Sequence, residues 1–389
     1  MARIAFIALD GLSLLARVLG AEEGLTRIVG GAVRDALAGQ SPKDVDLATR
    51  LEPDAVVARL RDAEIKAVPT GIAHGTVTAV LSSGPVEITT LRRDVSTDGR
   101  RATIAFTDDW REDAARRDFT INALYADPTT GEIFDFFGGI GDLSAGLVRF
   151  IGEPLRRIAE DHLRILRFFR FHARFGKGAP DAASLAACAA RANDLMALSR
   201  ERIADELLKI LALPDPAPTI ALMLDHGILA PVLPEIADPA PLARLVAREC
   251  EQAVSGDPVR RLAALLPRNP EVAEDAGARL KLSNANRKRL VSAATSDHPG
   301  AGEPRALAYW IGPVHAIDTL LLGEGDARSI ADWTPPRFPL SGGAIVSRGV
   351  SAGPDVARIL QAVERQWVAE GFPDAARAEA IADDLVSRA

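Results

Sequence analysis

Residues 27–49, "RIVGGAVRDALAGQSPKDVDLAT", restrict the fold and the chemistry of this chain more than any other stretch. An apolar run ends at Gly30-Gly31, a short helical pattern follows, and Asp44 and Asp46 come two positions apart. Alternate side chains of a strand face the same way, so both carboxylates are predicted on one face, where they repel each other unless a cation lies between them. Glycines at a strand end expose backbone N–H groups to phosphate oxygens. The stretch therefore predicts a site for a metal-bound nucleoside triphosphate.

The bulk composition indicates an ordinary globular protein of more than one domain. The chain has 389 residues, 48% of them hydrophobic and 25% charged, and a chain of this length usually divides into domains. Its apolar runs are too short to span a membrane, and its two cysteines lack metal or disulfide spacing. A net charge of −7 argues against nucleic-acid binding over the whole surface. We expect a cytoplasmic location.

One segment, residues 149–177, departs from this acidic balance. It holds eight lysines or arginines and three acidic residues, a local balance of +5. A solvated helical face and a local nucleic-acid contact both fit this composition.

The chain divides into a mixed head and a helical remainder. Residues 1–24 have the apolar spacing of a helix, and residues 25–148 alternate short β-like runs with turns. Helical patterns at 32–39 and near 53–63 interrupt them, and the polar stretch 92–110 is predicted to be a mobile loop. Beyond about 150 the pattern is helical, so the predicted class is α+β, with a mixed sheet of about five strands.

Each element of the opening stretch has a plainer interpretation when it is taken alone. The double glycine fits a tight turn, and the aspartates fit a solvated strand end. A dinucleotide-binding fingerprint is disfavoured because "GGAVRD" lacks the third glycine and the strand–helix length is wrong. Arg34, one helical turn past Gly31, adds a cation where triphosphate charge would lie. Glu87 in "PVEITTLR" is either a third carboxylate or an exposed strand position.

Residues 116–127, "RRDFTINALYAD", place polar residues before an apolar run that we interpret as a helix. Asp118 is either the cap of that helix or a ligand of ribose hydroxyls together with Asn122. Arg117 is a candidate phosphate ligand. A ribose contact would favour ribonucleotides over deoxyribonucleotides.

Residues 160–171, "EDHLRILRFFRF", are predicted to form one helix. Glu160, Asp161 and Arg164 then share a face, as an ordinary ion-pair network or as a surface for a base edge. Arginines recur along this helix at three- and four-residue steps, namely Arg164, Arg167, Arg170 and Arg174.

Five motifs in this order resemble those of the class II tRNA nucleotidyltransferases, or CCA-adding enzymes. They are "GGAVRD", "DVD", "RRDFTINA", "GGIGDL" to "RFIG", and "EDHLRILR". That group belongs to the CCA/poly(A) polymerase family within the DNA polymerase β-like nucleotidyltransferase superfamily. The resemblance implies a nucleotidyltransferase head over 1–148, a helical neck over 149–213, and a helical body and tail over 214–389 that bind tRNA.

The resemblance also implies roles for individual residues. Asp44 and Asp46 would hold two Mg²⁺ ions, with Glu87 as a candidate third carboxylate. Contacts to the nucleotide would come from Gly30, Gly31, Arg34, Arg117, Asp118, Asn122, Glu160, Asp161, Arg164, Arg167 and Arg170.

The implied reaction is template-independent addition of C, C and A to the 3′ end of tRNA. The terminal 3′-hydroxyl attacks the α-phosphate of CTP or ATP, and pyrophosphate leaves. Cytosine and adenine both present an amino donor beside a ring-nitrogen acceptor, which suits Asp161 and Arg164. Uracil and guanine present a carbonyl oxygen there, which the carboxylate repels. The tRNA contacts are expected at its 3′ end and acceptor stem, with no membrane and no obligatory protein partner.

Three alternatives stay open. A bacterial poly(A) polymerase shares the head and neck chemistry but carries a long basic extension that this sequence lacks. Relatives that add only CC or only A are a subtler alternative. A catalytically silent RNA-binding protein is disfavoured by the intact "DVD" and "RRD".

Overall fold

The computed structural model describes residues 10–42, 44–98 and 101–388, and the chain divides into two compact units. The first comprises Met1–Glu206 with Asp225–Val232, and the second comprises Leu207–Leu224 with Leu233–Ala389. Every strand of the described residues belongs to the first unit, and the second is built from helices.

The first unit contains a seven-stranded mixed sheet in the order β3-β4-β5-β2-β1-β8-β9 and a separate hairpin, β6-β7. In the sheet β2 and β5 are parallel, and the other neighbours are antiparallel. The strands are β1 (Thr26–Val29), β2 (Asp46–Thr49), β3 (Lys66–Gly71), β4 (Thr76–Leu81), β5 (Gly84–Thr90), β6 (Arg92–Asp98), β7 (Arg101–Phe106), β8 (Leu124–Ala126) and β9 (Ile133–Asp135).

Helices make up most of the remaining structure. Those before residue 200 are α1 (Leu12–Val18), α2 (Gly31–Leu37), α3 (Pro53–Asp62), α4 (Trp110–Ala115), α5 (Gly139–Ala145), α6 (Pro154–Glu160), α7 (Arg164–Phe175) and α8 (Ala182–Ala190). Those after it are α9 (Arg200–Leu211), α10 (Ala217–Asp225), α11 (Ala240–Glu251), α12 (Pro258–Leu265), α13 (Pro270–Arg279), α14 (Asn284–Ala294), α15 (Pro304–Ile311), α16 (Pro313–Leu322), α17 (Gly342–Val346), α18 (Pro354–Ala369) and α19 (Ala375–Ser387). Short 3₁₀ turns cover Ile72–His74, Thr120–Asn122, Ala192–Ala197 and Arg328–Ile330.

The two faces of the sheet bury different sets of residues. The face that includes Leu47 packs against α1, α2 and α3, while the opposite face includes Ala48 and packs against Trp110 of α4. Because side chains alternate along a strand, Asp46 and Glu87 lie on the face that carries α4.

The helices predicted at 32–39 and 53–63 are present as α2 and α3, and α1 confirms the described part of the helix predicted over 1–24. Residues 1–9 of that prediction lie outside the described residues. The sheet has two strands more than the five predicted, because β3, of six residues, and β8, of three, were missed.

The mobile loop predicted over 92–110 is wrong. Its described residues form the hairpin of β6 and β7 and the start of α4, while 99 and 100 lie outside them. Hairpin strands are joined by backbone hydrogen bonds, which need no apolar periodicity in the sequence.

The helix predicted within 116–127 is also wrong. A single 3₁₀ turn at Thr120–Asn122 is followed by strand β8, which pairs with β1 and β9. All three residues of β8 are buried. A short continuous apolar run fits a buried strand as well as a helix, so periodicity alone does not separate them.

The single helix predicted over 160–171 is interrupted. Helix α6 ends at Glu160, Asp161 is extended with φ −152°, and α7 begins at Arg164. The Asp161 side chain accepts a hydrogen bond from the Leu163 N–H at 3.1 Å. Aspartate stabilises turns through this kind of local bond, which competes with the helix.

Candidate active site

Asp46 lies at the start of β2, between two other strands of the sheet. Its Cα is paired with Val29 at the end of β1 and with Glu87 in β5. Val45 is buried, and the side chains of Asp44 and Asp46 on either side of it are exposed. The alternation expected for the two aspartates is therefore present, although Asp44 precedes the strand.

Negative charge is concentrated around Asp46. Its pKa is raised, first by partial desolvation and then by repulsion from Glu87 and Asp44, while Arg117 acts in the opposite direction. Among the residues that the structure describes, no three His, Cys, Asp or Glu side chains are arranged to hold a metal ion by themselves. A cation bound here would relieve the repulsion. The donor set fits Mg²⁺, which commonly takes one or two protein carboxylates and completes its shell with substrate phosphates and water.

The double glycine forms the turn between β1 and α2, beside Arg117. Gly30 has φ 68°, a left-handed conformation that favours glycine, and α2 begins at Gly31. A Cβ on Gly30 would lie 3.4 Å from Arg117 Nη1. The fold thus brings a guanidinium against the backbone of this turn.

Arg34 is buried behind the turn. Its Nη1 donates to Asn122 Oδ1 at 2.5 Å, and its Nη2 lies 2.6 Å from Asp35 Oδ1. The guanidinium also packs over the rings of Phe171 and Phe175. Burial lowers the pKa of Arg34, and Asp35 acts against that shift. In this arrangement Arg34 links α2 to Asn122 and to α7.

Arg117 is held by Asp113, which the sequence analysis missed. Asp113 is 1% exposed and lies 3.1 Å from Arg117 Nη2 and 2.8 Å from Arg116 Nη2. The Tyr125 hydroxyl donates to Asp113 at 2.6 Å and accepts from Arg117 Nε at 3.3 Å. The three- and four-residue spacing of Asp113 from the two arginines is the signal that sequence reasoning had available.

Asp118 is buried and ion-paired with α7. Its Oδ2 accepts from Arg167 Nε at 2.7 Å, and its Oδ1 accepts from the Asn122 amide and the Phe119 N–H, each at 2.9 Å. Burial acts to raise the pKa of Asp118, but Arg167 and Asn122 outweigh it and leave the pKa lowered. The predicted helix-cap role is absent, since the 3₁₀ turn is preceded by Phe119 and has no side-chain cap.

The predicted face of Glu160, Asp161 and Arg164 is only partly formed. Glu160 Oε2 accepts from Arg164 Nη1 at 2.8 Å, and Arg164 Nη2 donates to the Arg116 carbonyl at 2.9 Å. Asp161 instead binds Arg202, whose Nη2 lies 2.9 Å from Oδ2. Asp161 and Arg164 therefore have separate partners, because the chain leaves the helix at Asp161.

The other arginines of α7 are matched by acids from distant parts of the chain. Arg170 Nε donates to Glu206 Oε2 at 2.7 Å, and Arg167 Nη1 lies 3.9 Å from Glu206 Oε1. Arg174 lies 3.0 Å from Asp35 Oδ2. Sequence reasoning found the arginines and missed both carboxylates.

Comparison with known proteins places this geometry in a family. Residues 26–149 match the family described as "Poly A polymerase head domain", and residues 179–238 match "Probable RNA and SrmB- binding site of polymerase A". The mouse protein named "CCA tRNA nucleotidyltransferase 1, mitochondrial" is 37% identical over 391 residues, covering 93% of this chain and 87% of the mouse protein. The chain belongs to the CCA tRNA nucleotidyltransferase family.

Bacterial members of the family resemble this chain in two ways: some match its sequence over a shorter region, and others match its structure. The CCA-adding enzyme of Enterococcus faecalis is 40% identical over 185 residues, 47% of this chain and 44% of that protein. The crystal structure of the Bacillus stearothermophilus CCA-adding enzyme in complex with CTP has a TM-score of 0.76 and 26% identity, and each chain is covered to 98%. The family and the α+β fold predicted from the sequence are confirmed.

The described residues contain no helix long and apolar enough to cross a membrane.

Proposed function

We propose that this chain, as a CCA tRNA nucleotidyltransferase, adds C, C and A in turn to the 3′ end of tRNA with CTP and ATP as substrates. The observation that carries the proposal is the start of β2, where Asp46 lies between Val29 and Glu87. Arg117 beside the Gly30 turn adds a cation at the same place. The family name states the reaction, and the similar Bacillus enzyme forms a complex with CTP.

Asp44 and Asp46 are the proposed Mg²⁺ ligands, and Glu87, paired with Asp46 in the sheet, stays the candidate third carboxylate. Their crowding and the raised pKa of Asp46 support a cation here. Two bound ions would lower the pKa of the attacking hydroxyl and neutralise charge on the triphosphate. With Asp44 and Asp46 as the protein ligands, the remaining ligands come from the nucleotide and water, which agrees with the lack of a closed protein cage in the described residues.

The proposed triphosphate site is the Gly30-Gly31 turn with Arg117. The backbone of a glycine turn can approach phosphate oxygens closely, and Arg117 supplies positive charge that helps pyrophosphate to leave. Arg34 supports this turn from behind through Asn122 and α7.

Asp118 favours ribonucleotides indirectly in this proposal. Its Oδ1 accepts hydrogen bonds from the Asn122 amide and the Phe119 N–H, while its Oδ2 accepts one from Arg167 Nε and lies 2.6 Å from Arg167 Nη2. A carboxylate has about four acceptor positions, so a ribose hydroxyl would have to displace one donor. Asp118 therefore acts by holding Arg167 and Asn122 where they can contact the sugar.

Base selection is assigned to Asp161 and Arg164. Asp161 Oδ1 accepts from Leu163 and Arg202, and Oδ2 accepts from Arg202 at 2.9 Å. A carboxylate oxygen accepts two hydrogen bonds, so Oδ2 can receive the amino group of cytosine or adenine beside Arg202. Arg164, oriented by Glu160, donates to the ring nitrogen. Arg167 and Arg170, fixed by acids, complete the pocket.

The proposal includes the domain boundaries: a head over 1–148, a neck over 149–213, and a body and tail over 214–389. We place tRNA along the helical part. A cytoplasmic location stays a prediction, and the mouse and human relatives carry mitochondrial in their names.

The test is a single assay of addition. Purified protein is incubated with Mg²⁺ and tRNA that ends before C, CC or CCA, with each ribonucleotide alone and in mixtures, and the 3′ ends are sequenced. We expect CCA on the first substrate and A on the tRNA that already carries CC. Long adenosine tracts would support a poly(A) polymerase, addition of only CC or only A would support the partial enzymes, and no addition would contradict the proposal.

A further inference from the structure

The carboxylate of Asp113 accepts hydrogen bonds from four different residues. Its Oδ1 accepts from Arg116 Nε at 2.9 Å and the Arg92 N–H at 3.3 Å. Its Oδ2 accepts from the Tyr125 hydroxyl at 2.6 Å and Arg117 Nη2 at 3.1 Å. With 1% of its surface exposed, Asp113 is closed to substrate, so whatever it does for the reaction it does through its partners.

Among these partners Arg117 extends from Asp113 to the candidate active site. Its Nη2 is bound by Asp113 and its Nε by the Tyr125 hydroxyl, which is itself bonded to Asp113. The third nitrogen, Nη1, lies against the Gly30 turn. Holding a planar guanidinium at two of its nitrogens fixes the direction of the third.

A shift of the Arg117 side chain would therefore move its positive charge away from the Gly30 turn. Arg116, the other cation on Asp113, instead offers its backbone carbonyl to Arg164.

We infer that Asp113 is a positioning residue for nucleotide binding, which with Tyr125 holds Arg117 against the Gly30 turn for contact with the triphosphate. This inference rests on the proposed function, because it gives Arg117 a triphosphate to bind. Arg117 is the binding residue, and Asp113 acts through it.

The carboxylate of Asp113 is ionised at neutral pH. Burial acts to raise its pKa, but Arg117, Arg116 and the Tyr125 hydroxyl outweigh that effect and leave the pKa lowered. An ionised carboxylate accepts at both oxygens, whereas an amide of the same shape accepts at one and turns donors toward the arginines. Asp113→Asn therefore tests charge and acceptor capacity with little change in volume.

The experiment measures CTP and ATP binding to the full chain by calorimetry, without tRNA, beside kcat and KM for addition. We expect Asp113→Asn to raise the Kd of both nucleotides about 10- to 100-fold, because it removes one charge-assisted hydrogen bond to Arg117. The ratio of CTP to UTP binding should stay constant, because the triphosphate is common to both. Tyr125→Phe should raise both Kd values less, about threefold, because Arg117 keeps its direct ion pair with Asp113.

Glu249→Gln is the matched control. Glu249 is 2% exposed and pairs with two arginines of α12, Arg260 at 2.7 Å and Arg261 at 2.8 Å. Like Asp113→Asn, the Glu249→Gln variant removes the charge of a buried carboxylate that two arginines share, but in the second compact unit. We expect it to lower the melting temperature and to leave both Kd values unchanged.

The coupling between Asp113 and Arg117 decides between positioning and a purely structural role. If Asp113 acts through Arg117, Asp113→Asn added to Arg117→Ala should change the CTP Kd by less than about twofold, because contacting pairs are non-additive. An unchanged Kd in both Asp113→Asn and Tyr125→Phe, or a full further loss in the Arg117→Ala background, would overturn the inference. A parent chain that binds CTP but adds nothing to tRNA would contradict the proposed function alone.

Discussion

At the scale of single residues, the candidate active site combines exposed carboxylates with arginines that are already bound. Asp44 and Asp46 face solvent, whereas Arg117, Arg164 and Arg167 are each held by a carboxylate. Paired arginines lose little side-chain freedom when they contact a ligand, so the entropic cost of binding is low and the ligand is held in a defined geometry. The carboxylates that are free to take a cation are the ones that the sequence indicated first.

The first prediction concerns the two aspartates. Asp44→Ala and Asp46→Ala should each lower kcat/KM for CTP and ATP at least about a hundredfold, because metal ions contribute several kcal/mol of charge stabilisation and each 1.4 kcal/mol is a factor of ten. Binding of tRNA, measured by filter retention, should change little. Asp62→Ala, an exposed carboxylate at the end of α3, is the control. Near-normal turnover in either variant would refute the metal assignment.

The second prediction concerns base selection. Arg164→Ala should reduce discrimination against UTP and GTP by about 5- to 150-fold, since a good bidentate contact to a base provides roughly 1–3 kcal/mol. Asp161→Ala should relax the same exclusion. The measurement is kcat/KM for all four ribonucleotides beside the melting temperature.

Arg157→Ala is the matched control for Arg164→Ala. Arg157 also binds Glu160, at 2.6 Å, and a backbone carbonyl, that of Ala115 at 2.7 Å, so its loss should lower stability in a similar way without changing base selection. If both variants lose activity equally on all four nucleotides, in step with melting temperature, the network is structural.

At the scale of elements, α7 is bound to the head through both apolar and charged contacts. Phe168 packs against both Phe119 and Phe150 with centroid distances of 6.3 and 6.0 Å, and Arg167 contacts Asp118. The ion pair stabilises this contact only while Asp118 is ionised. Because the pKa of Asp118 is lowered in the folded chain, its contribution is complete above the unfolded value of about 3.9 and is lost as the pH falls through the folded value.

The third prediction follows from that pH dependence. Asp118→Asn should lower the free energy of unfolding at pH 7 by roughly 1.5–3 kcal/mol, the range for hydrogen bonds to charged groups. The difference from the parent chain should shrink as the pH falls below about 4, where Asp118 of the unfolded parent is protonated, and should vanish once the folded parent is protonated at its lower pKa. Urea unfolding between pH 7 and pH 3 measures it, with Asp54→Asn in the exposed first turn of α3 as control. A difference that is constant with pH would show that the charge of Asp118 adds nothing.

At the scale of the whole molecule, the basic segment 149–177 is less basic in space than in sequence. Four of its arginines meet carboxylates from outside the segment: Arg149 with Asp142, Arg167 with Asp118, Arg170 with Glu206 and Arg174 with Asp35. Much of the local charge of +5 is thereby neutralised. Contacts with tRNA phosphates must therefore come from the cations that stay exposed.

The fourth prediction names two of those cations. Arg156 has 77% of its side chain exposed, and Lys177 is exposed at the end of the segment. The double variant Arg156→Glu/Lys177→Glu should weaken tRNA binding and reduce the slope of log K against log salt by about 2, one per lost phosphate contact. Affinities measured over a salt range of about 50 to 200 mM test it.

A charge-matched control separates local contact from net charge. Arg17→Glu/Arg61→Glu makes the same charge change in α1 and α3, on the face of the sheet opposite Asp46. We expect near-normal tRNA binding from it. Equal weakening by both double variants would contradict a tRNA contact in the basic segment.

The sequence by itself determined the parts of this protein that depend on neighbouring residues. The strand, glycine turn, helix and alternating aspartates of residues 27–49 follow from side-chain alternation and from the conformational freedom of Gly30. The change from a mixed head to helices follows from a change in apolar period. The order of short motifs was enough to predict the family.

Only the tertiary structure decided which carboxylate meets which arginine. Asp35 and Arg174 are 139 positions apart, and Asp161 and Arg202 are 41 apart, so no local pattern connects them. The strand at residues 124–126 depended on pairing with β1, because its apolar run fits a helix equally well. Local periodicity specifies an element, whereas long-range ion pairs and strand register depend on where the folded chain brings distant segments together.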